Sequence, residues 1–206
     1  MKVYLIRHGQ TDLNAKRIHD GNTSSLSEKG REQAKLVAKR LAQFNTDLLI
    51  ASPFDRTKQT AEIISKEINQ PIAYSELFVE IKRATEIEGK NYDDPLSIAV
   101  KNQIFINYKK PDWHYSDEEN FFDFKNRGLK GLKFLEELNA EGVVLVTHHD
   151  IMKILISLML FGPDLHAEDY LRIRLFIDGH NTGITVCEFK NNTWKLITWN
   201  DHSHLD

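Results

Sequence analysis

After Met1 the chain runs Lys2-Val3-Tyr4-Leu5-Ile6-Arg7-His8-Gly9, and the architecture follows from this segment. Val3 to Ile6 are apolar and partly β-branched, the mark of a short buried strand. The run stops abruptly at Arg7 and His8. A cation and an imidazole at the end of a strand that should be central need a ligand or a partner to offset their desolvation.

The same pattern recurs further along. Asp47–Ala51 reads as a second strand, closed by Ser52-Pro53-Phe54-Asp55-Arg56. Val143–Thr147 reads as the clearest buried strand and ends at His148-His149-Asp150. Helices fill the intervals. Ser27–Phe44 carries Ala34, Val37, Ala38, Leu41 and Phe44 at helical spacing, with Ser27 able to cap it. Phe54–Ile68 carries Ala61, Ile64 and Ile68, and Pro71 marks the break after it. Ile72–Leu77 reads as another short strand and Leu96–Tyr108 as a helix. Ser116-Asp117-Glu118-Glu119 reads as a capping box before a long helix to about Leu138. Ile151–Phe161 follows as a helix, and Leu171–Ile177, Gly183–Phe189 and Trp194–Trp199 read as strands. This order predicts an α/β fold, a three-layer α/β/α sandwich whose mostly parallel central sheet ends in antiparallel C-terminal strands. Residues 80–115 hold Gly89, Pro95, Pro111 and many charges and read as a lid-like insertion into a single domain spanning 1–206.

Composition narrows the function. With 206 residues, 41% hydrophobic and 28% charged, the chain suits one ordinary globular domain rather than a disordered segment. A net charge of −3 argues against a broad nucleic-acid surface. The single Cys187 can form neither an internal disulfide nor a Cys-rich metal site, which fits a reducing compartment. The most apolar stretch, Ile154–Phe161, contains Ser157 and falls far short of the roughly 20 residues of a membrane span. Val3–Ile6 is too brief for a secretory leader, whose apolar region needs about 7–15 residues. The expectation is a cytoplasmic protein acting on neither membrane nor nucleic acid.

The three polar clusters all follow the carboxyl ends of strands, where open α/β sheets bind ligands. If those strands are parallel neighbours, Arg7, Arg56, His8 and His148 share one crevice. Two guanidinium groups offer forked donors to phosphoryl oxygens. Arg56 would sit in the first turn of a helix, where backbone N–H groups also favour an anion. A neutral imidazole is a competent nucleophile toward phosphorus, and a second could stabilise charge on the transferring group. No Walker-type glycine loop is present. Taken singly, Arg56 reads as a solvated helix-face charge and Asn14 as a turn residue. His202-Ser203-His204 reads either as a metal-ligating H-x-H pair or as a structural tail. Cys187, Trp194 and Trp199 read as packing residues.

Four ordered blocks carry a family resemblance. Arg7-His8-Gly9-Gln10-Thr11-Asp12-Leu13-Asn14 is similar to the R-H-G-x-T-x-x-N signature of the histidine phosphatase superfamily, which has the phosphoglycerate mutase-like fold. Gly21 and Leu26-Ser27-Glu28-Lys29-Gly30-Arg31-Glu32-Gln33-Ala34 resemble its next block. Ser52-Pro53-Phe54-Asp55-Arg56-Thr57-Lys58-Gln59-Thr60-Ala61 and Val146-Thr147-His148 resemble the later ones, and Asn181-Thr182-Gly183 a common ending.

The resemblance implies roles. His8 would be the nucleophile that becomes a phosphohistidine. Arg7, Asn14, Arg56 and His148 would hold the phosphoryl group, with Gly21 nearby. Glu80 would be the acid that protonates the leaving group, and must then be protonated near neutral pH. His149 stands where the family usually has Gly and would reshape the substrate pocket. His149-Asp150 imitates the His-Asp acid of the acid-phosphatase branch. Glu80 is favoured over Asp150, because Val143–Thr147 registers His148, not His149, at the strand end. Glu86 and Glu88 are further candidates. Lys82, Arg83, Lys90, Lys109 and Lys110 read equally as contacts to a second anionic group of the substrate or as a solvated face.

The function expected is metal-independent phosphomonoester hydrolysis of a phosphorylated small molecule, with no cofactor. A phosphoglycerate mutase-type transfer, a non-catalytic phosphate-binding module and a metal-dependent hydrolase are the alternatives. The substrate and the oligomeric state, a homodimer included, stay open at this level.

Overall fold

A computed structural model describes all of residues 1–206. In chain order the elements are β1 (Lys2–Arg7), α1 (Asp12–Ala15), α2 (Glu28–Leu41), β2 (Leu48–Ala51), α3 (Asp55–Ile68), β3 (Ile72–Tyr74), α4 (Pro95–Ile106), α5 (Phe121–Glu136), β4 (Gly142–Thr147), α6 (His149–Phe161), α7 (Ala167–Phe176), β5 (Ile184–Lys190) and β6 (Thr193–Asp201). The strands form one sheet in the order β3-β2-β4-β1-β5-β6. β1, β2, β3 and β4 run parallel, while β5 is antiparallel to both β1 and β6.

The strands' period of two splits the core into two sides, making three layers. Val3 and Leu5 of β1, Ile50 of β2, and Val143 and Leu145 of β4 pack with Phe124, Leu135, Ile154 and Leu155 of α5 and α6. Tyr4 and Ile6, Leu49 and Ala51, and Val144 and Val146 pack on the other face with Val37, Leu41, Ala61 and Ile64 of α2 and α3. β4 is buried at all its positions, as a parallel strand covered on both faces must be. No helix is long and apolar enough to cross a membrane.

Three elements differ from the sequence reading. Leu171–Ile177 alternates apolar and polar like a strand, yet residues 167–176 form helix α7. Tyr170 is buried in the core and Arg174, one turn later, reaches Asp150. That shared helical face outweighs the local alternation. Ser116 does not cap α5. Asn120 does, its side chain accepting from Asp123 N while Asp123 accepts from Asn120 N. Glu118 instead accepts from the backbone N–H groups of Tyr115 and Ser116, closing a loop. The strand at Ile72 ends at Tyr74, and residues 76–78 turn in a short 3₁₀ helix that sends Phe78 into the core.

Within 80–115, Ala84, Ile87 and Val100 form a small core of their own. Arg83 fastens this segment to the first turn of α6 through Asp150, 2.9 Å away.

Candidate active site

Register sets the site. Arg7 lies opposite Thr147 across β1 and β4, so His8 and His148 emerge level with one another. Ala51 of β2 lies opposite Val146, which places Ser52 and the start of α3 at the same edge. The backbone continues the pairing past the strand ends: His8 N donates to Thr147 O at 3.0 Å and Ser52 N to Val146 O at 3.0 Å. The three clusters separated in sequence therefore meet at one sheet edge.

His8 is nearly buried, and its protonation state follows from its neighbours. Arg56 Nε lies 3.2 Å from His8 Nε2. An arginine Nε–H only donates, so Nε2 must be the acceptor. The ring's proton is then on Nδ1, which donates to Gly9 O at 2.7 Å. Burial, then Arg56, then Arg7 push the His8 pKa well below the usual imidazole value, so the ring is neutral at pH 7.

Arg56, in the first turn of α3, also donates Nη1 to Gly21 O at 2.7 Å. Arg7 donates to Gly179 O, and its Nε is buried without a protein partner. His148 is fully buried, 2.8 Å from Ser52 Oγ through Nε2, and its Nδ1 has no partner. Burial and Arg56 likewise hold His148 neutral. The two imidazoles lie edge to face at 5.2 Å. Asn14 is in α1, where its N–H donates to Thr11 Oγ1 and its Nδ2 is a further buried atom without a partner. Arg7 Nε and Asn14 Nδ2 are obligate donors left unmatched, the signature of a place built for an acceptor.

Glu80 comes from the loop after β3. Its carboxylate accepts from Asp150 N at 3.2 Å and Ile151 N at 3.1 Å, the first turn of α6. That helix has no side-chain cap of its own, so Glu80 supplies the missing acceptor. Bonds to N–H groups favour the ionised form, but burial first and the Asp150 charge second raise the Glu80 pKa overall. Asp150 behaves in the opposite way. Burial alone would raise it, but Arg174 and Arg83 outweigh that and hold it far below the ordinary carboxylate range. Of the two candidate acids, only Glu80 has the environment of a proton donor.

Arg56, Gly21 and Glu80 line a cleft of about 580 Å³ together with His19, Asp20, Lys82, Arg83, Glu88 and Arg127. His149 follows His148 directly, and Arg7 is among the charges acting on it. Its Nε2 lies 3.3 Å from Asp178 and its ring faces Gly179, while burial and Arg7 lower its pKa to about 4. The cations of residues 80–115 are largely spoken for. Lys82 pairs with Asp117, Arg83 with Asp150, Lys109 with Glu168, and Lys110 donates to Asn107. Glu86 accepts from Ser116 Oγ, turned to the loop. His202 and His204 do not converge: the first faces Asn200 O and the second Thr182 Oγ1. No group of three or more His, Cys, Asp or Glu side chains is gathered as a metal site. Cys187 is buried in the core, and Trp199 Nε1 donates to Asp178 O beside the site.

Several supporting residues escaped the sequence reading. Thr60 Oγ1 accepts from Gly9 N and donates to Arg56 O, tying the His8 loop to the first turn of α3. Asn181 Nδ2 donates to His8 O at 2.8 Å. Both lay in the motif blocks, but one residue's spacing cannot show its tertiary partner. His19 carried no sequence signal at all.

Two neutral histidines and two guanidinium groups at the edge of an α/β/α sheet make a site whose chemistry suits a phosphoryl group. Residues 3–202 match the model of the histidine phosphatase superfamily, branch 1. A probable phosphatase of Schizosaccharomyces pombe is 30% identical over 215 residues, covering 100% of this chain and 96% of that one. A probable phosphoglycerate mutase of Photorhabdus laumondii is 28% identical over 212 residues, covering 100% and 95%. The solved structure of YhfR from Bacillus stearothermophilus superposes with a TM-score of 0.83 at 26% identity, covering 100% and 99%. The chain belongs to the histidine phosphatase superfamily and is a phosphatase-type enzyme of that family.

Proposed function

We propose that the chain hydrolyses a small phosphate monoester without a metal, through a phosphohistidine on His8. The observation that carries this reading is the tautomer of His8: Nδ1–H is fixed on Gly9 O and the lone pair of Nε2 faces Arg56. Nε2 attacks phosphorus as the ester P–O bond breaks, and Glu80 gives its proton to the departing alcohol oxygen. Arg7, Arg56, Asn14 and His148 hold the transferring oxygens, with the Arg56 Nε–H turning from His8 to the phosphoryl group. Water then attacks phosphorus, Glu80 takes its proton, and the P–N bond breaks. Inorganic phosphate leaves with both groups restored.

The test is hydrolysis of an aryl phosphate in excess chelator, comparing the unaltered chain with His8→Ala. Turnover that survives chelation and vanishes in His8→Ala is expected. Equal turnover in His8→Ala removes the proposal. Because several relatives carry the name of a probable phosphoglycerate mutase, a mutase-type transfer is the second reading. It requires priming by bisphosphoglycerate, whereas hydrolysis does not.

A further inference from the structure

His19 is 2% exposed, lines the cleft, and has no protein partner on either ring nitrogen. Its ring leans on Tyr92 at 4.4 Å. Burying both polar atoms unmatched costs free energy, so the position is explained by a partner that arrives with the ligand. Burial, then Arg83 and Lys101, hold its pKa down to about 3, so it meets that partner as a neutral ring, one donor and one acceptor.

The charges around it point the same way. Lys82, Arg83 and Arg127 line the cleft but are each matched, to Asp117, Asp150 and Glu119. Asp20 takes a hydrogen bond from Thr11 on one oxygen, and its Oδ1 is buried without a partner. Glu88 makes no ion pair, and its carboxylate lies so close over Gly21 that a Cβ there would overlap it. Backbone bonds from His19 N to Lys90 O and from Gly89 N to His19 O, 2.9 and 3.0 Å, hold these two segments together beside Arg56. The unmatched groups lining the cleft therefore include the carboxylates of Asp20 and Glu88 and the His19 ring.

We propose that His19, Asp20 and Glu88 form the leaving-group subsite and select phosphate monoesters whose alcohol half carries a hydrogen-bond donor, a hydroxyl or an ammonium, and no second acidic group. This rests on the hydrolytic reading above and names its substrate class. Of the two readings of Lys82 and Arg83, it sets aside the one in which they meet a second anion of the substrate.

The test uses binding, so that it does not depend on turnover. Calorimetry on the His8→Ala protein compares ethanolamine phosphate, ethylene glycol monophosphate and phosphoglycolate, three esters of two-carbon alcohols. The first two are expected to bind about tenfold more tightly than phosphoglycolate, the scale of one nearby like charge in a partly solvated cleft. Adding Glu88→Gln, an exposed position, should narrow the gap between ethanolamine phosphate and phosphoglycolate severalfold. Adding His19→Phe, which keeps the ring on Tyr92, should weaken the hydroxyl ester. Phosphoglycolate binding as tightly as the others, or a gap untouched by Glu88→Gln, overturns the proposal. Failure of aryl phosphate turnover in the unaltered chain would instead count against hydrolysis, whatever the order of the three affinities.

Discussion

Glu80 is held between two opposing effects. The N–H groups of α6 pull it toward the carboxylate, while burial and Asp150 push it toward the acid, and the second pair prevails. Acting as the proton donor, it gives a kcat/KM that falls as pH rises through its raised pKa. Glu80→Gln should remove that alkaline limb and lower kcat/KM for an alkyl phosphate by about 10²–10⁴-fold. The loss in kcat/KM should be much smaller for an aryl phosphate, whose phenolate departs without a proton, because kcat/KM stops at phosphoryl transfer to His8 and leaves out the later step in which Glu80 takes a proton from water. A pH–rate profile on both substrates checks this. Asp150 acts on the same group from next door. Asp150→Asn removes the charge that helps keep Glu80 protonated, so the alkaline limb should move to lower pH. It also leaves Arg83 and Arg174 without their buried counter-charge, a loss of about 3 kcal/mol measurable by urea unfolding. An unmoved limb would separate Asp150 from Glu80.

At the scale of elements, the loop that carries His8 is seated on the start of α2. A Cβ on Gly30 would fall against Gln10 O, and one on Gly9 against Gly30 O. These are backbone atoms that cannot swing aside, so Gly30→Ala must displace the loop. It is expected to cost about 1–3 kcal/mol in stability and to lower kcat through misplacement of His8. Unchanged melting and turnover would refute this. Helix α2 itself was legible, because Ser27 caps it and its apolar spacing is regular. Helix α7 was not. Its alternating Leu171-Arg172-Ile173-Arg174-Leu175 fits a strand, and only the Tyr170 and Arg174 contacts to the rest of the chain select the helix. The start of α5 misled for a related reason: both Ser116 and Asn120 can cap, and local sequence does not rank them.

For the whole molecule, the site imposes an acid sensitivity. His8, His19, His148 and His149 all have folded pKa values depressed below about 6.5, with burial the first cause in each. The unfolded chain therefore binds more protons than the native one below that pH. The stability is fully present above pH 6.5 and is lost as pH falls toward the folded values, about 4 for His149 and about 3 for His19. His19 and His149 each withdraw about 2 kcal/mol by pH 5, and His8 and His148 act in the same direction. Glu80, whose pKa is raised, works in the opposite direction but is a single group. Urea unfolding at pH 7.5 and pH 5.0 should show a loss of several kcal/mol; an unchanged midpoint would contradict the buried neutral state of these rings.

The alternation of strands and helices, the strand-end placement of Arg7, His8, Arg56 and His148 and, through the motif blocks, the family were legible in the residues alone. Those features are local: apolar period, caps and fixed spacings survive without knowledge of distant partners. The contrast between Glu80 and Asp150 came from the tertiary structure alone, because it depends on Arg83, Arg174 and the α6 N-terminus closing around them. The tertiary structure alone fixed the His8 tautomer, set His149 against Asp178, and left His19 buried without a partner. Protonation and burial are properties of an environment, and that environment is assembled from residues far apart in the chain.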